Sequence, residues 1–218
     1  MAPMAETTMP YGRPEFRAVV RHPQAHAFVL GQYRLGEHAG VVALGRLLAE
    51  MEPEARLRRA MEIHHRDEGR HSRLFTDWMC RLGVTPAPLP QDVEGFFSKS
   101  PEEFRERRAQ LAELPAPVRR IFVFAAINAI ERLAYGQFEN HLLALERPQD
   151  VANLESVMAE EKFHLSYVEA ELDRQQHGEH AGLVGAALET ARARFAEFQA
   201  FRQEQARHAI ERLLGGGA

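Results

Sequence analysis

Two segments of the chain read Glu-x-x-His: Glu68-Gly69-Arg70-His71 and Glu161-Lys162-Phe163-His164. On a helix, residues three apart share a face, so each pair can aim a carboxylate and an imidazole at one ion. Each pair has a lone glutamate upstream, set in an apolar stripe. Glu37 stands among Leu30, Tyr33, Val41 and Leu44, and Glu131 among Phe124, Ile127, Tyr135 and Phe138. The interval from Glu37 to Glu68 is 31 residues and that from Glu131 to Glu161 is 30. With turns near 52 and 146, the paired glutamates each stand ~22–24 Å from their turn at ~1.5 Å per residue, and so face each other at mid-helix. The two halves read as a duplicated hairpin.

One Glu-x-x-His on a charged helix is more often a solvated face than a site. Two copies at matched depth, each opposite a glutamate inside an apolar stripe, favour a shared function. A carboxylate in a core costs several kcal/mol unless it is paired or neutralised. Four of them call for cations, and two divalent ions come close to balancing the charge. The metal ligands expected are Glu37, Glu68, His71, Glu131, Glu161 and His164. A metal-free polar network in a structural partner module is the bland alternative.

The elements that must position these residues are helical. Three- and four-residue apolar steps predict helices over about 25–51, 54–83, 116–145, 148–176 and 180–214. Prolines at 3, 10, 14 and 23 mark residues 1–24 as an irregular lead-in, and residues 25–214 as one domain. Thr85-Pro86-Ala87-Pro88-Leu89-Pro90 ends the second helix. Within the long link that follows, Ser100-Pro101-Glu102-Glu103 carries a cap, a first-turn proline and an acid three residues after the cap, which is a helix start. The order is hairpin, long crossover, hairpin and extra helix. A link of that length can cross a four-helix bundle.

Composition narrows the function. The formal net charge is −4, which disfavours nucleic acid as a partner. Cys80 is the only cysteine, so there is no internal disulfide and no CxxC iron or redox pair. That usage predicts a reducing, cytoplasmic setting. The first thirteen residues do not read as a secretory signal, and no stretch is apolar enough to predict a membrane span.

Across about residues 27–176 the six positions resemble the ferritin-like di-iron carboxylate superfamily, which includes ferritins, rubrerythrins and di-iron monooxygenases. Asp67-Glu68-Gly69-Arg70-His71 is similar to the Asp-Glu-x-Arg-His signature of bacterial multicomponent monooxygenase hydroxylases. The resemblance implies an all-α, ferritin-like four-helix bundle, with a long crossover between its second and third helices and an extra C-terminal helix. It implies two Fe ions, with Mn or a mixed Mn/Fe pair as alternatives. It also implies a non-haem oxidoreductase that activates O2 or peroxide, draws on an external electron donor and acts as an oxidase or monooxygenase of an apolar organic substrate. Asp67, and Glu160 as its counterpart, are then acids that orient a ligand histidine.

Tyr33, Tyr135 and Tyr167 each lie one turn from a ligand; of these, Tyr33 and Tyr135 are taken as supporting residues, with core packing as the plainer role. His64, one turn before Glu68, could line the site, but reads rather as a partly buried or surface histidine. Glu139 and His141 read as too far from the metals. A rubrerythrin- or ferritin-type peroxidase or ferroxidase competes with the oxygenase reading, as does a ferritin-like tRNA hydroxylase. Position 134, where rubrerythrins carry a further acid, is alanine. The crossover and extra helix favour the oxygenase, because they can wall a pocket. The oligomeric state stays open, with a homodimer among its forms.

Overall fold

The structure is a computed structural model that describes residues 13–215 apart from positions 52, 94, 95 and 97. Its seven helices are α1 (Arg13–Arg21), α2 (Pro23–Glu50), α3 (Ala55–Arg81), α4 (Pro101–Ala112), α5 (Ala116–Leu142), α6 (Pro148–Gln176) and α7 (Ala181–Gly215), with no strand among the described residues. The five long helices agree with the periodicity to within about three residues at each end.

The lead-in requires a correction. Residues 13–21 form α1, and α2 begins at Pro23. Both Pro14 and Pro23 fall in a first helical turn, where a missing amide has no intrahelical partner to lose. The prolines start helices there rather than break them. His22 caps α2, its Nδ1 accepting from the amide of Ala25 at 3.3 Å. Residues 1–12 lie outside the described residues.

The capping motif at Ser100 behaves as its residues dictate. The Ser100 side chain accepts from the amide of Glu103 at 3.2 Å, and the Glu103 carboxylate accepts from the amide of Lys99 at 2.9 Å. Two free donors at the head of α4 are thereby satisfied.

The helices α2 and α3 pack as one hairpin and α5 and α6 as a second, with α3 lying against α6. The seams follow the 3–4 spacing of packed helices. On α3, Met61, His64, Glu68, His71, Phe75 and Trp78 are buried; on α6, Leu154, Val157, Glu161, His164, Val168 and Leu172. In each seam the middle turns are polar. Apolar cores occupy the two ends, one built around Leu30, Phe75, Trp78, Phe138 and Leu154, the other around Met61, Ile121, Phe124, Val168 and Leu172. The long α7 packs on α5 and also reaches α2, covering the side of the bundle where those two helices face each other. No helix among the described residues is long and apolar enough to cross a membrane.

Candidate metal centre

The six expected ligands come together between the two apolar cores, and a seventh joins them. Two groups of donor atoms form, each with its members within 4.8 Å of one another: Glu37, Glu68, His71 and Glu161, and His64, Glu68, Glu131 and His164. All seven side chains are buried. Glu68 belongs to both groups. Glu161 links them as well, its Oε1 3.2 Å from His71 Nδ1 and its Oε2 3.1 Å from His164 Nδ1. His71 Nδ1 also lies 3.1 Å from Glu37 Oε2.

His64, read from the sequence as peripheral, is 1% exposed and central. Its Nε2 lies 2.9 Å from Glu68 Oε1 and 3.2 Å from Glu131 Oε1. Its ring stacks on that of His164 with centroids 3.7 Å apart. Tyr167 fixes the ring from behind, its hydroxyl 2.8 Å from His64 Nδ1. The signal was present in the seam spacing, since His64 stands one turn before Glu68 on the same face. The duplication concealed it, because the matching place on α6 is Val157.

The acids preceding the ligand glutamates face across the hairpins. Glu160 of α6 places Oε2 2.7 Å from His71 Nε2 of α3, and it also pairs with Arg70. Asp67 of α3 lies 3.6 Å from His164 Nε2 of α6, beyond hydrogen-bond reach, and that nitrogen has no partner. Among the described residues, no hydrogen bond joins the expected supporting tyrosines to a ligand. The hydroxyl of Tyr33 is buried without a partner, and Tyr135 lies under the ammonium of Lys162, which is 5.9 Å from its ring. His141 sits away from the centre, as its spacing implied, with Nε2 3.0 Å from His26 Nε2.

Of the glycines near the site, Gly40 is the one the geometry demands. A Cβ there would come within 3.0 Å of Glu68 Cδ and closer still to its Oε2. At Gly36 and Gly69 an added Cβ would meet only ordinary contacts, 3.4 Å or more away.

The electrostatics show a set of donors in conflict without a cation. Burial, and then repulsion from Glu37, Glu131 and Glu161, raise the Glu68 carboxyl well above its usual range. Burial likewise raises Glu131 against the opposing pull of His64. Burial would raise Glu161 too, but the bonds from His164 and His71 outweigh it and hold the group ionised. Burial works to lower His71, yet its bonds to Glu161 and Glu37 lift it to about 9. In the metal-free cage some carboxylates therefore keep protons while some imidazoles take them up. Divalent cations resolve both demands, since their ligands must be deprotonated carboxylates and neutral imidazoles. Four carboxylates and three imidazoles form an oxygen-rich mixed set that suits iron or manganese.

Glu37, His64, Glu68, Glu131 and Glu161 form part of the wall of a cavity of about 220 Å³, whose remaining wall is mostly apolar side chains of α2, α5 and α7. The chain matches no protein-family model, no curated protein and no solved structure.

Proposed function

We propose that this chain is a ferritin-like di-metal carboxylate oxidoreductase, most consistent with two iron ions, that oxidises an organic substrate at the expense of O2 or peroxide. One observation carries the reading: the seven-donor cage gives onto an apolar cavity roofed by α7. Bound iron would supply the two-electron chemistry that reduces dioxygen or peroxide.

The chain's own residues do the rest. Glu68 and Glu161, each reaching across both donor groups, would be shared between two bound cations. Glu160 fixes the ring of His71 through Nε2, and Tyr167 fixes that of His64 through Nδ1, which leaves the opposite nitrogen of each ring turned to the carboxylates. Phe138, Leu44, Ile127 and Phe195 in the cavity wall exclude water from the space beside the carboxylates, which strengthens every electrostatic interaction there. Glu160 is only partly covered, with its side chain 32% exposed, and offers a route by which a proton passes between solvent and the His71 side of the cage. A ferroxidase would need a polar path for incoming ferrous ions, and the largely apolar cavity wall favours an organic substrate instead.

The test is reductant-dependent oxygen uptake by the iron-loaded protein. Uptake that rises on addition of an organic substrate, with loss of that substrate, supports the reading. Uptake driven only by ferrous iron, with deposition of many irons per chain, contradicts it.

A further inference from the structure

The cavity is apolar over most of its length but carries one cation. Arg202 of α7 lines it together with the amides Gln32, Gln199 and Gln203. The guanidinium donates to Gln32 Oε1 at 2.5 Å and lies 5.3 Å from the centroid of Phe96, which the crossover contributes. No carboxylate pairs with it among the described residues. Several other arginines are matched to acids: Arg21 pairs with Glu146, Arg108 with Glu50 and Arg132 with Glu169. A guanidinium stays charged in a protein, and among the described residues this one is partly buried against a neutral amide and a ring with no acid to balance it. Burial pulls Arg202 below its usual range.

We propose that the cavity takes an elongated apolar molecule bearing one carboxylate, with the carboxylate bound by Arg202 and the apolar chain lying past the ligand glutamates. The orientation follows from charge. The glutamates in the wall, Glu37, Glu68, Glu131 and Glu161, are committed to the cage, while Arg202 offers the planar fork of donors that suits a carboxylate. The distances fit an extended molecule. Gln32, which holds Arg202, precedes Glu37 by five residues, or ~7.5 Å along α2. The cavity then continues along the same helix past Gly40, Ala43 and Leu44 to Leu47, so the stretch from Gln32 spans ~22 Å. A carboxylate anchored at Arg202 would therefore place a carbon several bonds down its chain beside the cage, with the remaining tail against Leu44, Leu47 and Ile127. The assignment names the substrate class of the oxidation proposed above and rests on that reading for its chemistry, although binding itself needs no turnover.

The experiment is calorimetric titration of the metal-loaded protein with octanoate, decanoate and dodecanoate, each beside the primary alcohol of the same length. Wild type and Arg202→Met are compared, with metal content and helicity measured on every sample. The expected result is one carboxylate bound per chain, at least tenfold more tightly than the matching alcohol. In Arg202→Met that preference should vanish, while alcohol binding stays within twofold and metal content is unchanged. Equal binding of acid and alcohol by the wild type overturns the proposal, as does absence of saturable carboxylate binding or undiminished carboxylate affinity in a folded Arg202→Met. The wild-type ratio decides the matter even where the variant does not fold. Full metal loading without a carboxylate preference overturns this inference alone. A carboxylate preference lost with Arg202, in a protein that holds no stoichiometric metal, overturns the oxidative reading instead.

Discussion

The hairpin α2–α3 and the hairpin α5–α6 are built on one plan and differ at two places that matter. Glu37 corresponds to Glu131, Glu68 to Glu161, His71 to His164 and Asp67 to Glu160, and the structure brings the first three pairs to one depth. The differences are His64 against Val157 and Gly40 against Ala134. Val157 is fully buried in an end core, whereas His64 enters the donor set. One donor group accordingly holds two imidazoles and two carboxylates, and the other holds one imidazole and three carboxylates. A repeated hairpin supplies the shared frame, and departures from the repeat make the two donor groups chemically unequal. The group bounded by His64 and His164 is richer in nitrogen and would suit the softer ion, while the group with three carboxylates would suit the harder or more oxidised one.

The comparison can be broken most severely at the glutamate common to both groups. Glu68→Leu should abolish binding of both cations and leave a helical protein, as read by metal analysis and circular dichroism. Its metal-free form should melt no lower than the metal-free wild type, because a buried carboxyl without a cation is costly. Retention of two metals would remove Glu68 from the shared role.

His64→Val, which makes the first hairpin resemble the second, should remove or weaken one cation by roughly tenfold or more, consistent with the loss of a site partner. The second cation should remain. Equal loss at both positions would show that the asymmetry is not carried by His64.

Gly40→Ala should lower metal occupancy by displacing the Glu68 carboxylate, whereas the reciprocal Ala134→Gly should retain full occupancy and cost about 1 kcal/mol of helix stability. Equal occupancy in the two variants would mean that Glu68 can move aside without consequence.

A separate effect, on acid stability rather than metal binding, lies away from the cage, where α2 and α5 meet through His26 and His141. Burial, and then the nearby charge of Arg147, lower His26 to about 4. Burial and the neighbouring His26 lower His141 as well. The unfolded chain therefore binds protons that the folded pair does not. The stabilisation from the neutral pair is complete above the ordinary histidine value near 6.5, and it is lost as pH falls from there through about 4. For His26 alone the loss approaches about 3 kcal/mol below pH 4. Denaturant melts of the metal-free protein between pH 7 and 4 should show this slope, and His26→Phe should flatten it. An unchanged slope would place the acid sensitivity elsewhere.

The sequence made the six principal donors legible because the information was local and repeated: glutamate in an apolar stripe, Glu-x-x-His, and near-equal intervals about two turns. The all-helical architecture was legible for the same reason, through unbroken three-four periodicity. His64 was hidden because symmetry served as the filter and Val157 gave it no partner. The first helix was hidden because a proline reads as a breaker until its place in the first turn is known. The pairing of Glu160 with His71 and the approach of Asp67 to His164 join opposite hairpins, a relation that spacing within one helix cannot specify. The lone cation at Arg202 was likewise beyond reach, since α7 shows many charges and only the packing reveals which one faces inward.

The proposed function depends on the seven buried donors holding two cations. The most direct test is metal analysis, joined to anomalous diffraction at the iron and manganese edges, on protein purified from its native host. The account predicts two ions per chain, one among Glu37, Glu68, His71 and Glu161 and one among His64, Glu68, Glu131 and His164. A fully folded protein with no ion between these side chains, or with its only metal bound elsewhere, would contradict it.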